Sequence, residues 1–493
     1  MVRRPWLTLV VAIGIALAGC TAAPPQRSGH PRAGAAHGAP TGGGAATEGD
    51  SALAEEIAEQ LEQTQERIEA LQEATDRGEA GVTEAISGTP ATGWAGEEIV
   101  SRRGDDWEPA IAADPNAPYV YLLHNRYGGK TACRKCPDPA MILHVSRDDG
   151  LTWRHQRYLC RCSGVRGQFD PLIEVVPDTG DVIAVWMNGF HIRFSRSSDH
   201  GRTWSRDVSV QGRVNWGDKP NLAVSPDGQD VYVLFNGPTA GDVWAAVSHD
   251  GGASWDQVRV TRGNRYFYDY GGAVLPNGRV VFSQISFSYS GPGGEVAGTQ
   301  RIHLIASDDD GASWSVSRID QLNLGSECTS RRCYADFYDS GPALAADGDG
   351  DLVIVYNGAS RDRGPQSVYA RSSTDRGHHW SDRVLLSERG ANAAFPAAVG
   401  VGNDEVRVWF MDQRTGRWNT WYTRSTDLGQ TWSPAVRISD ARSGTAYKSR
   451  RGFLEVYGDY GEIAVTDDGR TVATWGEGTS YYGPGGVWFN RER

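Results

Sequence analysis

From Glu97 to the C-terminus the chain is built of short runs in which hydrophobic and polar residues alternate, separated by clusters of Gly, Pro, Asn and Asp. A period of two over four to eight positions is that of a β-strand, and the clusters supply the tight turns between strands. Residues 97–493 are therefore expected to form an all-β domain. The stretch before it follows another pattern. Between Ser51 and Gly78, the residues Ala54, Ile57, Leu61, Thr64, Ile68 and Leu71 fall at alternating spacings of three and four. This predicts one helix over 51–79, a short stalk or a helix lying on the domain. Residues 20–50, mostly Gly, Ala, Pro, Ser and Thr, offer almost nothing to bury and read as a disordered tether. Residues 1–19 hold Arg3, Arg4 and an apolar run from Leu7 to Leu17, a short export signal rather than a membrane span.

One phrase, Ser-x-Asp-x-Gly-x-Thr/Ser-Trp with small variations, begins at Ser146, Ser197, Ser248, Ser307, Ser373 and Ser425, with successive starts 51, 51, 59, 66 and 52 residues apart. Periods of about 40 to 50 residues point to propeller blades of four strands each. A second phrase, an acidic or aromatic residue near a Pro or Gly followed by a β-run, marks the innermost strand of each blade. It occurs seven times, at Glu108-Pro109, Asp170-Pro171, Asp218-Lys219-Pro220, Asp269-Tyr270-Gly271, Asp339-Ser340-Gly341-Pro342, Phe395-Pro396 and Asp459-Tyr460-Gly461. Seven blades follow, with six as the alternative. The last blade lacks a fourth strand, and the stretch Glu97 to Ser101 is expected to supply it and close the ring.

The eight-residue phrase resembles the Asp box of the sialidase superfamily, and the resemblance covers nearly all of residues 100–493. It implies that Asp148, Asp199, Asp250, Asp309, Asp375 and Asp427 are fold residues, on the face away from the ligand site. In the same register the turn Asp347-Gly348-Asp349-Gly350-Asp351, which has the look of a calcium loop, matches hairpin turns such as Pro226-Asp227-Gly228 and reads as one of them. No metal and no cofactor are expected.

The segment Leu17-Ala18-Gly19-Cys20 resembles the lipobox of bacterial lipoproteins, which implies a mature chain beginning at a lipidated Cys20 on the outer face of the cell membrane. Six cysteines follow: Cys133, Cys136, Cys160, Cys162, Cys328 and Cys333. In an oxidising compartment they are expected to form three disulfides, with a four-thiolate zinc site as the sharper alternative. The register puts all six at the mouth of the central channel. Asn125, Asn188, Asn236 and Asn357 are expected there too, with Arg361, Arg363 and several loop tyrosines. Such groups suit sugar hydroxyls and ring faces, or else serve strand ends and blade interfaces.

A sialidase clamps its substrate's carboxylate with three arginines beside a tyrosine nucleophile, and the first arginine belongs on the first inner strand. This chain has Trp107-Glu108-Pro109 at that place. With Asp170, Asp218, Asp269, Asp339 and Asp459, Glu108 is expected to form an acidic ring that repels an anion, binds a cation or polyhydroxyl, or merely caps strand amides. Arg126, Arg265 and Arg414 remain for a partial clamp, with Tyr268, Tyr270 or Tyr338 as nucleophile and Glu455 as its partner. A formal charge of −12 and a pI near 5.4 argue against nucleic acid. The expected function is carbohydrate binding or processing at the mouth. An exo-sialidase or related glycoside hydrolase is one alternative, and a scaffold with a cell-envelope protein partner is the other.

Overall fold

The computed structural model describes residues 90–101, 105–128, 136–154, 156–160, 167–238, 242–262, 266–290, 295–325, 341–415, 418–439, 448–449, 452–453, 461–478 and 485–493. Cys20 and the helix expected over 51–79 lie outside them. Among the described residues there are five four-stranded antiparallel sheets, a two-stranded one, and one eight-stranded sheet whose halves, residues 266–323 and 343–385, are joined where Asn323 pairs with Ala359; we call each four-stranded unit a blade and number them in chain order. Blade one is Asp105–Ala113, Val120–Tyr127, Ala140–Ser146 and Arg157–Tyr158, ordered from the axis outward, and blade two begins at Gln168–Val175 in the same order. The later inner strands are Asp218–Val224, Tyr266–Val274, Ala343–Ala346, Ala393–Val401 and Gly461–Val465. Each neighbours the next, and the seventh neighbours the first, so they ring a central channel.

The ring is closed by a strand from the other end of the domain. Glu98–Ile99 pairs with the last strand, Glu98 opposite Phe489 and Ile99 opposite Trp488. Just upstream Trp94 is buried, bridges Glu492, and meets the Tyr422 ring of blade six edge-on at 4.9 Å. The segment thus contacts blade six and completes blade seven.

Because each blade stands between two others, both faces of its middle strands are covered. Val120–Tyr127 is buried at every position, as is Val231–Asn236. One apolar cluster joins Leu123, Leu143 and Tyr121 of blade one to Ile173, Val182 and Trp186 of blade two, and comparable clusters fill the later interfaces. The Asp boxes fasten the same interfaces from one end. In blade three the Asp250 carboxylate accepts hydrogen bonds from the Ser254 amide and hydroxyl and from the Ser248 hydroxyl, while the Trp255 indole donates to the Gly252 carbonyl. Gly252 has φ of +92°, and a Cβ there would lie 2.2 Å from the Phe194 ring of blade two. Only glycine lets this turn close against its neighbour. The amide four residues on likewise donates to Asp148, Asp199, Asp309, Asp375 and Asp427, and the indole bond recurs at Trp314, Trp380 and Trp432.

Candidate functional site

The mouth is shaped by a repeated distortion of the inner strands. Glu108, Asp170, Lys219 and Phe395 each precede a proline and each adopt a left-handed φ, of 53°, 47°, 46° and 55°. Proline has no N–H to give the ladder, and the pairing shifts register there, between Trp107 and Ala110 in blade one and between Phe169 and Leu172 in blade two. A non-glycine residue in this region costs on the order of 1–3 kcal/mol, and a following proline restricts it further.

This phasing corrects the acidic ring. In blade three the residue equivalent to Glu108 and Asp170 is Lys219, not Asp218, which pairs opposite Asn236 one position earlier. The Lys219 ammonium lies 3.9 Å from the Asp170 carboxylate. Glu108 accepts a hydrogen bond from the Asp170 amide at 3.0 Å and another from the Asn125 side chain. Three consecutive blades are thereby linked at the rim, and the charge along it runs minus, minus, plus. In blade six the equivalent position is apolar Phe395. Glu108 serves partly as a cap for the next blade's strand, the plainer of the roles open to it.

Both described arginines of the expected clamp are held by their own blades. Arg126 is buried and donates from Nε to Asp106 at 2.6 Å, with further bonds to Ser101 and Gln156. Arg414 donates from Nε to Asp412 at 2.6 Å and lies 3.9 Å above the Trp421 ring. Neither is left to converge on a substrate carboxylate. Tyr268, Asp269 and Tyr270 lie in the inner strand of blade four, opposite Ile285, Gln284 and Ser283. Arg265, Tyr338, Asp339, Glu455 and Asp459 fall outside the described residues.

The asparagines at second-strand ends are mostly engaged within the fold. Asn188 accepts from Gln168 and from the Trp186 indole, and Asn357 donates to Gln366. Arg361 is exposed at a turn and Arg363 half-buried beside it. Cys136 and Cys160 are each disulfide-bonded. Cys133, Cys162, Cys328 and Cys333 lie outside the described residues.

Two groups of titratable residues went unnoticed in the sequence. Behind the rim of blade one, the His124 and His144 rings are buried with Nε2 atoms 3.1 Å apart. His124 Nδ1 faces the Asn125 carbonyl at 2.9 Å and must donate to it, so the proton between the rings belongs to His144. Burial pushes His124 down to about 4 and His144 well below its ordinary value. Burial alone would raise Asp106 alongside, but His124 and Arg126 hold it below the usual carboxylate range.

An unfolded chain protonates free histidine near pH ~6.5. The native rings refuse the proton down to about 4, so the stability they contribute is lost as pH falls between those values. His144→Gln keeps a donor for His124 without titrating. It is expected to lose less stability than the parent between about pH 7 and pH 4.5, measured by urea midpoints; parallel losses would refute the assignment.

The second group lies in the channel. Glu462, on the inner strand of blade seven, accepts a hydrogen bond from the Ile111 amide of blade one at 2.7 Å. Glu174, on the inner strand of blade two, is open to channel solvent yet enclosed by the ring of strands. Glu462 is half-buried, and its desolvation together with the neighbouring Glu174 carboxylate pushes it up to about 8; Glu174, although exposed, is raised to about 7 by the crowding of the inner strands around it. Each stands beside a hydrophobic residue in a short inner strand, Ile173-Glu174-Val175 and Glu462-Ile463. That break in an apolar run was the available signal.

Carboxylates also cluster at the end of the ring that carries the Asp boxes. Asp347, Asp351 and Asp404 form one triad, and Asp149, Asp467 and Asp468 another, with oxygens within 4.8 Å of one another. In the first, Asp347 accepts the amides of Asp349, Asp351 and Asp404, as an ordinary turn would.

Residues 91–291 match the family described as BNR repeat-like domain. That match and the recurring Asp-box turns support a BNR/Asp-box fold. No curated protein matches it in sequence. Similar solved structures include a Hadza microbial sialidase, at 16% identity over 80% of this chain and 68% of that one with a TM-score of 0.46. A polysaccharide lyase acting on ulvan is similar at 12% identity over 78% and 94%, TM-score 0.48. The intramolecular trans-sialidase of Ruminococcus gnavus is similar at 14% identity over 83% and 98%, TM-score 0.41.

Proposed function

We propose that this BNR/Asp-box chain is an exported, lipid-anchored propeller that binds or processes carbohydrate at its channel mouth. The observation that carries the reading is the row Glu108, Asp170 and Lys219, three strained residues held in register at the rim of consecutive blades. Strain maintained by surrounding contacts is a recurrent mark of ligand sites. Carboxylate, amide and ammonium groups together present acceptors and donors to a polyhydroxyl ligand. The balance of charge favours a neutral sugar over sialic acid, because Glu108 stands where a sialidase places an arginine and Arg126 is neutralised by Asp106. Export is supported by the Leu17-Ala18-Gly19-Cys20 segment and by disulfide-bonded Cys136 and Cys160.

A glycan array probed with the purified chain tests the ligand class. Binding to neutral glycans, weakened by Lys219→Ala at unchanged thermal stability, is the expected result. Turnover of a fluorogenic sialoside would instead establish a sialidase, and a protein partner recovered by crosslinking with no glycan bound would establish a scaffold. For the anchor, Cys20→Ala is expected to move the protein out of the membrane fraction. Unchanged membrane retention of that variant would overturn lipidation.

A further inference from the structure

Of the four asparagines at or near second-strand ends, three are engaged within the fold. Asn188 accepts from Gln168 and the Trp186 indole, Asn357 donates to Gln366, and Asn125 donates to Glu108. Asn236 of blade three is the exception. It is fully buried, and neither its Oδ1 nor its Nδ2 has a hydrogen-bond partner. At the same end of blade three, just before the inner strand, the Trp216 indole N–H has none either. Its ring is 3% exposed and stacks 5.2 Å from Phe190 of blade two.

The strand register shows which way the Asn236 amide is turned. Tyr232 and Leu234 of the same strand pack with Val280, Phe282 and Ile305 of blade four. Side chains two apart share a face of a strand, so Asn236 continues that row to the mouth, on the side of blade four. Across from it Gln284 continues the row of Phe282 and pairs opposite His303, whose Nε2 lies 2.8 Å from the Ser286 hydroxyl. The apolar interface between blades three and four is therefore topped by a polar layer. On the inner strand Asp218 pairs directly opposite Asn236, and strained Lys219 follows it.

A buried amide with both polar atoms unmatched is a standing cost to the free protein, because its bonds to water have been given up and nothing replaces them. Folded proteins keep few such groups, and each calls for a partner from outside the chain. We propose that the carbohydrate of the mouth is seated on blade three, with Asn236 as its anchor and the Trp216 indole as a second donor. The acceptor and donor of a carboxamide lie side by side. They match a pair of adjacent sugar hydroxyls, one giving its proton to Oδ1 and the other accepting from Nδ2. A carboxylate offers acceptors alone and would leave Oδ1 facing another oxygen, so the seat selects a neutral diol. This rests on the reading of the mouth as a carbohydrate site and adds to it the blade and the contacting groups.

One array of neutral glycans, with monodeoxy analogues among them, tests the seat when probed with the parent and with Asn236→Leu. Apparent affinity is expected to fall by at least about tenfold in the variant, and analogues lacking the hydroxyls that Asn236 takes are expected to lose that difference. The urea midpoint of free Asn236→Leu is expected to rise, since leucine fills the same space with no unmet polar atom. Asn188→Leu, which strands the Gln168 and Trp186 donors, is expected to lower it. Equal binding by the parent and Asn236→Leu would overturn the seat and leave the carbohydrate reading standing. A lowered midpoint in Asn236→Leu would also overturn it, because the amide would then serve the fold through an ordered water. A parent that binds no neutral glycan would overturn the carbohydrate reading, and the seat with it.

Discussion

Truncation of Arg126 to alanine is expected to destabilise the fold by about 3–5 kcal/mol, the range for removing one partner of a buried ion pair. Asp106 is fully buried, and its Oδ1 and Oδ2 take the Arg126 Nε and Nη2 at 2.6 and 3.1 Å. Without the guanidinium a carboxylate is left inside the blade beside two histidines that resist protonation. Arg126→Lys is expected to recover only part of the loss, since an ammonium cannot make the forked contact and also reach Ser101 and Gln156. Combining Arg126→Ala with Asp106→Leu removes the stranded charge and should cost less than Arg126→Ala alone. Urea denaturation of the four proteins measures this. A ligand clamp predicts the opposite pattern, with stability kept and binding lost.

Trp94→Ala is expected to cost a similar amount, about 3–5 kcal/mol, from the loss of a large buried ring and the cavity left behind. The ring is 2% exposed and packs on Tyr422, while its backbone neighbours tie into the last strand through the Ala95 amide to Arg491 and the Gly96 amide to Asn490. Beyond the cavity, loosening this segment uncovers the outer edge of blade seven, which then invites pairing with other chains. Trp94→Ala is therefore expected to aggregate during thermal unfolding at temperatures where a substitution of exposed Leu151 leaves the protein monomeric. Light scattering recorded alongside the melt distinguishes the two.

The repeat was legible because each Asp box reuses the same hydrogen bonds, so the same residues must return in every blade. The inner-strand phrase was legible for a similar reason: a proline in a strand demands a distortion, and four blades solve it alike. Its phase was not. Asp218 and Lys219 both precede Pro220, and only the backbone conformation decides which of them takes the left-handed position. The asparagines at strand ends were visible as a set, yet whether an amide meets a ligand or a neighbouring glutamine depends on the adjoining blade.

What the sequence by itself determined is periodic: strand alternation, the spacing of the boxes, and a donor strand at the start of the domain for the blade at its end. These are local rules repeated along the chain, and local rules are written in local sequence. The tertiary structure alone decided what meets at the axis and between blades. Glu174 and Glu462 are nearly three hundred residues apart, yet Glu174 raises the Glu462 pKa electrostatically because the inner strands close into a ring. Arg126 and Asp106 find each other across a strand pair, which removes from the mouth a guanidinium that the sequence had offered to a ligand. Ring closure converts distant positions into neighbours, and the charges it brings together set the chemistry of the channel.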